Sequence, residues 1–359
     1  MKEKEYKVLL ISPSLKLHGG VVEFNKMLLK YGRSNYIIFE LKSVVHKNIL
    51  LKTIFLIIDF SKFCWLLITN KIDLVHVNPS LGKNSIKRDG VFIIISKFFK
   101  KKVFVHWHGW NPANEYLLEV KNLGFIKKSF FKADHIKFLS VHFENKFKSL
   151  GFKNKTSLGS TFVDDALVNE TSKKTFKTNA INLLFLSTVS KNKGIYIVVS
   201  IFKELYKKYP NISLIIAGKG EELDNVRQLV ASQGLNNVSF TGFVSGKEKN
   251  LIYSKSHIYL FPSMYEGMPT SLLEALCFGL PIVCSNVGAI PEFFEEENMG
   301  YMIENINNSN SYVEKIMTLL DDNILINKIS NYNSKIGFKK YLASKNVLKI
   351  EQDYKNLFR

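Results

Sequence analysis

Two carboxylates flank a turn within residues 261–292. Glu266 lies in the loop after an apolar run that ends at Phe261, and Glu274 lies in a helix predicted over residues 272–278. The unpaired amides at the start of that helix, together with its dipole, would attract a phosphate group. The segment could therefore bind sugar hydroxyls, a diphosphate and ribose hydroxyls in turn.

This segment resembles glycosyltransferase family 4, whose members are retaining enzymes with the GT-B fold. The resemblance rests on Phe-Pro-Ser-x-x-Glu-Gly-Met-Pro-Thr-Ser-Leu-Leu-Glu-Ala at positions 261–275 and on Gly-Leu-Pro-Ile-Val at positions 279–283. It implies that Glu266 is catalytic and binds hydroxyls of the transferred sugar, and that Glu274 binds the donor ribose. Further implied donor contacts lie between the two glutamates, at Gly267, Met268, Pro269, Thr270 and Ser271.

The first half of the chain resembles the same family at two places. Gly19 and Gly20 follow the first predicted strand and resemble the family's glycine loop, whose amides approach the donor phosphate without a Cβ atom in the way. His108 precedes Gly109 after another predicted strand and resembles the family's histidine near the reacting sugar. The resemblance thus implies that His108 is a second catalytic residue, which orients the sugar or carries developing charge through its main chain.

The second half supplies further donor contacts by resemblance. Lys193, in Ser-Lys-Asn-Lys-Gly, resembles the lysine that binds the donor diphosphate. Many members place an arginine five residues earlier, where this chain has Thr188, and Lys191 could either supply the missing charge or be a solvated loop lysine. The loop containing Phe243 and Val244 resembles the one that holds the nucleobase through backbone contacts.

The resemblance implies transfer of a sugar from a UDP- or GDP-sugar to an acceptor hydroxyl by front-face attack. We expect a lipid-linked or polysaccharide acceptor, used in making a bacterial capsule, O-antigen or exopolysaccharide. No Asp-x-Asp follows an apolar strand, and Asp164-Asp165 and Asp321-Asp322 are predicted to be turn or cap residues. We therefore expect no metal and no other cofactor, because Lys193, the helix amides and the glycine loop would neutralise the phosphates.

Apolar runs alternate with amphipathic segments of helix length in both halves of the chain. The runs span residues 8–11, 74–77 and 103–106 in the first half, and residues 181–186, 213–217, 238–240, 258–260 and 281–283 in the second. Continuous apolar runs separated by helices are typical of parallel strands covered on both faces. We predict an α/β protein with two doubly wound, Rossmann-like domains, which the GT-B resemblance arranges across a cleft.

The domain boundaries follow from length and from one polar segment. A chain of 359 residues exceeds the usual size of a single hydrophobic core. Residues 169–179 lack apolar periodicity, so we place a linker there, between an acceptor-binding domain at 1–168 and a donor-binding domain at 180–340. Residues 341–359 are predicted to form a C-terminal helix that packs back on the first domain.

Most of the positive charge lies in residues 1–155. They contain 28 Lys and Arg against 11 Asp and Glu, a net of +17 out of +19 for the chain. Such a charge favours an anionic partner, either nucleic acid or the anionic cytoplasmic leaflet of a membrane, although a lysine-rich compositional bias would also raise it. Charges such as Lys52, Asp59 and Lys62 interrupt the apolar segment at 49–69, and lysines end the one at 91–102. These segments therefore predict buried or interfacial helices rather than membrane spans.

The cysteines and the N-terminus predict a cytoplasmic protein. Cys64, Cys277 and Cys284 lie in apolar surroundings without a C-x-x-C pair, which fits reduced, buried thiols. The first residues lack the apolar region and cleavage site of a signal peptide. We expect an enzyme that is peripheral at the inner face of an anionic cell membrane.

Three rival functions make different demands on the sequence. A GT-B epimerase or sugar-phosphate synthase would need further acid–base groups or a set of phosphate-binding arginines, and the first domain has only Arg33 and Arg88. A nicotinamide dehydrogenase would need G-x-G-x-x-G after the first strand, which Gly19-Gly20 does not match. A nucleic-acid-binding protein could use the positive charge, but no recognised motif is present, so no specific nucleic-acid partner is expected.

Overall fold

The described residues of the chain fold around two six-stranded sheets. The computed structural model describes residues 6–45, 48–168 and 181–359. The strands are β1 (Lys7–Pro13), β2 (Asn35–Leu41), β3 (Leu74–Val77), β4 (Lys102–His106), β5 (His135–Phe138), β6 (Lys155–Leu158), β7 (Ile181–Leu186), β8 (Ile212–Ala217), β9 (Val238–Gly242), β10 (Ile258–Phe261), β11 (Ile282–Ser285) and β12 (Gly300–Ile303).

Helices connect these strands along most of the chain. They are α1 (Gly20–Tyr31), α2 (Ile49–Thr69), α3 (Lys83–Phe98), α4 (Val120–Lys128), α5 (Val141–Ser149), α6 (Asp165–Val168), α7 (Ile195–Lys208), α8 (Leu223–Ser232), α9 (Gly246–Lys255), α10 (Thr270–Cys277), α11 (Ile290–Phe293), α12 (Ser309–Asp321), α13 (Asn323–Lys340) and α14 (Ala343–Lys355). Within the described residues, no helix combines the length and the apolar composition needed to cross a bilayer.

The chain divides into two units, each with one sheet. The first contains Met1–Thr161 and Ala343–Arg359, and the second contains Phe162–Leu342. Residues 162–168, predicted to lie in the first domain, belong to the second unit. Asn250 donates a hydrogen bond to the Leu167 carbonyl, and the Val163 amide donates to the Tyr341 carbonyl. The linker predicted at 169–179 lies outside the described residues.

Both sheets are parallel, and each reverses its strand order once. The second unit has the order β9-β8-β7-β10-β11-β12, and the order reverses between β7 and β10. The first unit has the order β2-β1-β3-β4-β5-β6, and the order reverses between β1 and β3. In doubly wound sheets, ligands bind outside the carboxyl ends of the strands at such a reversal, so each unit has one preferred place for a site.

The C-terminal helix α14 packs within the first unit. The Glu351 carboxylate accepts hydrogen bonds from the backbone amides of Arg33 and Ser34, each at 2.7 Å, and from the Tyr36 hydroxyl at 3.0 Å. Two residues further on, Asp353 pairs with the buried Lys137 at 2.6 Å. These contacts explain why the last residues belong to the first unit although they follow the second in sequence.

Candidate functional site

Lys193 and Glu266 meet where the strand order of the second sheet reverses. Lys193 lies in the turn after β7, Glu266 lies in the loop after β10, and these two strands are hydrogen-bonded neighbours. The Lys193 Nζ atom is 2.5 Å from the Glu266 Oε1 atom. The arrangement thus places a cation and a carboxylate side by side where a doubly wound sheet binds its ligand.

The backbone around this ion pair is closely packed. Gly194 has φ +74°, and a Cβ atom at this position would lie 2.0 Å from the Pro262 carbonyl oxygen. The Met264 amide donates to the Asn192 carbonyl at 2.9 Å, which joins the same two loops a second time. A Cβ atom at Gly288 would lie 2.0 Å from the Glu266 carbonyl oxygen. These glycines let three loops approach one another, and the approach fixes the backbone on both sides of Lys193 and Glu266.

Eight residues separate the end of β10 from the start of α10. Pro269 occupies its N-cap position, and no side chain there caps the first turn. The Ser271 hydroxyl accepts a hydrogen bond from Tyr259 at 2.7 Å, and Met268 is buried. Met268, Pro269, Thr270 and Ser271 thus lie between the two glutamates, at the uncapped start of α10, where amides can bind an anion. Their contacts with a donor stay a prediction.

Glu274 is buried and has two protein partners that no sequence motif predicts. Lys249 forms an ion pair with its Oε1 atom, and the Tyr253 hydroxyl lies 2.9 Å from its Oε2 atom. Burial and the neighbouring Glu274 carboxylate raise the pKa of Tyr253 well above its usual value, so its hydroxyl stays a donor. The four-residue spacing of Lys249 and Tyr253 shows that they share one face of α9, but no sequence signal shows that this face meets α10.

Glycines after β8 serve a packing function. Gly218 has φ +153°, and a Cβ atom there would lie 1.9 Å from the Ser187 carbonyl oxygen. A Cβ atom at Gly220 would lie 2.1 Å from the Val189 carbonyl oxygen. The lack of side chains at Gly218 and Gly220 is therefore explained by the approach of the loop after β7, without any ligand.

Thr188, where members of glycosyltransferase family 4 often have an arginine, lies in the loop after β7. Lys191 has its Nζ atom 3.6 Å from Glu222, and its side chain is 72% exposed, whereas that of Lys193 is 25% exposed. Of the two lysines, Lys193 is thus the one that the fold encloses beside Glu266. The interpretation of Lys191 as a solvated loop lysine fits this geometry better than a role in replacing the arginine.

The loop after β9 carries the two residues predicted to face the nucleobase. Gly242 has φ +74° and ends the strand, after which Phe243 is exposed and Val244 is buried. Burial of Val244 anchors the loop, while Phe243 leaves an aromatic ring accessible. The predicted backbone contacts with a base remain a prediction.

Gly19 and Gly20 lie where the strand order of the first sheet reverses. Gly19 has φ +150° and is the N-cap residue of α1, with no side-chain cap. A Cβ atom at either glycine would meet no other atom within 4 Å. Packing within the protein therefore does not explain why Gly20 lacks a side chain, in contrast to Gly218 and Gly220. Open space for a ligand explains it better.

His108 is buried beside the same reversal and forms a chain of hydrogen bonds. Its Nε2 atom lies 2.8 Å from Asn78 Oδ1, and Asn78 Nδ2 in turn donates to Asn25 at 3.1 Å and to the Ile11 carbonyl at 3.4 Å. Because Asn78 uses its amide hydrogens there, its oxygen accepts, and His108 carries its proton on Nε2. Burial lowers the pKa of His108 to about 3, so the ring is neutral near pH 7 and its Nδ1 atom can accept a hydrogen bond.

A cavity of 180 Å³ opens next to Asn78 in the first unit. Its polar wall contains a network in which Arg88 binds Asp89 through Nε and Nη2, at 2.7 and 2.9 Å, and Ser85 donates to Asp89 at 2.7 Å. The full lining is Ile11, Pro13, Val21, Leu41, Asn78, Ser80, Ser85, Arg88 and Asp89. An apolar wall opposite hydroxyl and charged groups suits a small polar ligand such as part of a sugar.

The acidic pairs do not form metal sites in the described part of the chain. Asp164 accepts a hydrogen bond from the Ala166 amide at 3.0 Å, and Asp322 caps α13 by accepting from the Ile324 and Leu325 amides at 2.9 Å. Asp164 and Asp322 are thus turn or cap residues, as predicted, whereas Asp165 begins α6 and Asp321 ends α12, where it accepts a hydrogen bond from Tyr209. Across residues 6–45, 48–168 and 181–359, no group of three or more His, Cys, Asp and Glu side chains is arranged to hold a metal ion.

The chain is similar in sequence to known glycosyltransferases. The glycosyl transferases group 1 family matches residues 169–336. An uncharacterized glycosyltransferase of Methanocaldococcus jannaschii is 29% identical over 212 residues, which cover 54% of this chain and 51% of the relative. The O-antigen biosynthesis glycosyltransferase WclY of Escherichia coli is 29% identical over 174 residues, which cover 48% of this chain and 46% of WclY. The chain therefore spans about half the length of these curated relatives.

The fold also matches that of a solved protein. HepE of Anabaena, solved in complex with UDP and glucose, superposes with a TM-score of 0.72 at 17% identity over 98% of this chain and 100% of HepE. At that identity the likeness concerns the fold alone, and it agrees with the predicted GT-B architecture of two parallel α/β units. In sequence, the similarity to glycosyl transferases of group 1 spans residues 169–336, a little under half of the chain.

Proposed function

We propose that the chain transfers a sugar from a UDP- or GDP-sugar to an acceptor hydroxyl with retention of anomeric configuration, as glycosyltransferase family 4 does. The observation that carries the proposal is the Lys193–Glu266 ion pair, 2.5 Å long, at the strand reversal and before the start of α10. A diphosphate needs a cation and backbone amides, and a sugar needs a carboxylate that accepts from its hydroxyls. The second unit offers these groups within one loop system.

The proposal assigns roles to the residues of the donor site. Lys193 and the first amides of α10 bind the diphosphate, Glu266 binds sugar hydroxyls, and Glu274 accepts hydrogen bonds from the ribose. A carboxylate has about four acceptor positions, so Glu274 can bind ribose while it retains Lys249 and Tyr253. Gly267, Met268, Pro269, Thr270 and Ser271 shape the donor site, and Phe243 and Val244 hold the base.

The first unit contributes the remaining groups. The open space at Gly19 and Gly20 leaves the start of α1 accessible to phosphate oxygens. His108, being neutral, orients the sugar or stabilises charge through its main chain rather than acting as an acid near pH 7. The 180 Å³ cavity beside Asn78 binds part of the acceptor.

The chemical step is a front-face substitution at the anomeric carbon. The bond between that carbon and the diphosphate oxygen breaks, the acceptor oxygen forms the new bond on the same face, and the acceptor proton passes to the departing diphosphate. Positive charge develops on the sugar ring and negative charge on the leaving oxygen. Glu266 stabilises the first and Lys193 stabilises the second, so the step uses no metal ion.

We further propose that the acceptor is lipid-linked or polysaccharide and that the enzyme works at the cytoplasmic face of an anionic membrane. The net charge of +17 in residues 1–155 supports attachment to an anionic membrane surface. The similarity to an O-antigen biosynthesis glycosyltransferase supports an acceptor that belongs to a cell-surface polysaccharide such as capsule, O-antigen or exopolysaccharide. Basic residues near an anionic surface contribute about 1 kcal/mol each.

Donor binding and product stereochemistry test the proposed function. Thermal-shift and hydrolysis measurements across UDP- and GDP-sugars should identify one donor, and NMR of the product should show the anomeric configuration of that donor.

Lys193→Ala and Glu274→Ala should each lower turnover at least about tenfold, since a charged hydrogen bond contributes about 1.5–3 kcal/mol. Lys191→Ala is the matched control and should retain activity. Wild-type turnover in both site variants, or an inverted product, would refute the assignment.

A further inference from the structure

Helix α2 presents a continuous apolar face to solvent. Leu50, Ile54, Ile57, Ile58, Trp65 and Ile68 are between 43% and 72% exposed. Their spacing of mostly three and four residues places them on one side of the helix, with Ser61 in the gap between Ile58 and Trp65. Isolated exposed apolar residues are ordinary, but six along one helix form a patch that needs a partner.

The opposite side of α2 is packed into the first unit. Phe63 is fully buried and contacts Phe39 and Phe92, with ring centroids 5.5 and 4.8 Å apart. Asp59 is also buried, and its carboxylate accepts from the backbone amides of Lys42 and Ser43 at 3.2 and 3.0 Å. Asp59 is the one acidic residue of α2, so the acid that interrupts the apolar segment in the sequence does not lie on the exposed face.

The charges that border this face are positive. Lys62 is exposed on α2, and Lys71 is exposed just after the helix ends. Helix α3, which packs on α2 through Phe92, exposes Phe98 by 80% and is followed by the exposed Lys100. An apolar face bordered by lysines complements a surface with an anionic outer layer and an apolar interior.

We propose that α2 lies in the plane of an anionic bilayer, with its apolar face at the boundary between headgroups and acyl chains. This inference rests on the proposed membrane attachment and names the element that makes it. A second copy of the chain fits the face less well, because a symmetric contact through α2 would bring together two copies of residues 1–155, each with a net charge of +17. The lysines Lys62 and Lys71 bind headgroups while Ile54, Ile57 and Trp65 insert.

Trp65 provides a direct probe of insertion. The chain has three tryptophans, and Trp107 and Trp110 are buried whereas Trp65 is 58% exposed. Full-length protein is mixed with vesicles of phosphatidylcholine alone or of phosphatidylcholine with phosphatidylglycerol. We expect tryptophan emission to shift to the blue and acrylamide quenching to fall with the anionic vesicles only. Trp65→Phe should still bind them in sedimentation but lose both optical changes, which assigns the signal to α2.

The variant that tests the apolar face is Ile54→Ser with Ile57→Ser. Binding to anionic vesicles should weaken at least about tenfold, because insertion depends on buried apolar area. The control, Ile324→Ser with Leu348→Ser, removes two exposed apolar side chains from α13 and α14 and should bind like the wild type. Donor hydrolysis in solution should be the same in all of these proteins, which shows that they fold.

The possible failures are distinguishable. If wild-type protein binds no vesicle, the membrane attachment is wrong and the inference falls with it, whereas donor hydrolysis still tests the transferase separately. If the wild type binds but the α2 variant binds equally and Trp65 stays accessible to acrylamide, attachment is electrostatic and the inference is overturned. If the α2 variant dissociates a dimer in sedimentation velocity without losing vesicle binding, the face is a contact between copies and the inference is likewise overturned.

Discussion

The ammonium group of Lys249 forms an ion pair with Oε1 of Glu274, and the pair joins α9 to α10. Tyr253, one helical turn along α9, reaches the other carboxylate oxygen of Glu274. Because Glu274 is buried, these two partners both compensate its charge and fix its orientation. Lys249 therefore positions the carboxylate to which we assign the donor ribose.

Replacing Lys249 should weaken donor binding. Lys249→Met keeps the apolar stem and removes the charge, so Glu274 loses the contact that orients it. We expect the KM for the nucleotide-sugar to rise about tenfold, as loss of roughly 1.4 kcal/mol predicts, with a smaller change in kcat. Steady-state kinetics with the identified donor measures both.

The control for this variant is Lys247→Met, an exposed lysine on the same helix. It should show wild-type kinetics. Tyr253→Phe should raise the donor KM in the same direction as Lys249→Met, because it removes the second partner of Glu274. A donor KM that is unchanged in both Lys249→Met and Tyr253→Phe would contradict the positioning role.

Activity should survive EDTA. The proposed charge neutralisation uses the Lys193 ammonium group and backbone amides, none of which a chelator removes. Initial rates with and without EDTA, after dialysis against the chelator, should agree within about twofold. A rate that EDTA abolishes and that Mg²⁺ or Mn²⁺ restores would replace this part of the mechanism.

The central strands of both sheets were predictable because burial on two faces leaves a plain signal. Strands β3, β10 and β11 are buried along their length, and each coincides with an apolar run of the sequence. The edge strands β2 and β6 were not predicted: β6 has only exposed and half-buried residues, and β2 mixes such residues with the buried Phe39 and Leu41. Strand β5 contains His135 and Lys137, so no continuous apolar run marks it, and Asp353 of α14 pairs with Lys137.

The site was predictable where its residues lie close together in the sequence. Glu266, the turn and Glu274 are close in sequence, so their order along the loop and α10 could be predicted directly. Lys249 and Asn78 contact the predicted residues from elements distant in sequence, and only the packing of those elements places them there. For the same reason, the sequence showed Asp59 only as a charge within an apolar segment, whereas in the fold it accepts hydrogen bonds from backbone amides.

Acid should destabilise the first unit. Burial lowers the pKa of His76 and of His108 to about 3, against about 6.5 in the unfolded chain. Both side chains fold as neutral rings, so below pH 6.5 the unfolded state binds more protons and stability falls progressively toward pH 3. At pH about 5 each histidine should remove about 2 kcal/mol from the free energy of unfolding.

Tryptophan fluorescence during urea unfolding measures this effect. Trp65, Trp107 and Trp110 all lie in the first unit, so their emission reports its unfolding. The urea midpoint should fall between pH about 7.5 and pH about 5. His106→Leu should reduce this fall, because His106 is buried with both ring nitrogens unpartnered and its pKa is also lowered by burial. The exposed His142, changed to Leu, is the control, and an equal fall in both variants would contradict the role of the buried histidines.

The cavity beside Asn78 should determine affinity for the acceptor and not for the donor. Arg88 and Ser85 both bind Asp89 in its polar wall, and Asn78 joins that wall to His108. Ser85→Ala removes one hydroxyl with little risk to the fold, and Arg88→Met removes the charge that compensates the buried Asp89. We expect the acceptor KM to rise about threefold in Ser85→Ala and at least about tenfold in Arg88→Met, with the donor KM unchanged.

Lys87→Met, an exposed change on the same helix, should leave both constants unchanged, and melting temperatures will show whether each variant is folded. If Arg88→Met is folded and its acceptor KM equals that of the wild type, the acceptor binds elsewhere on the protein.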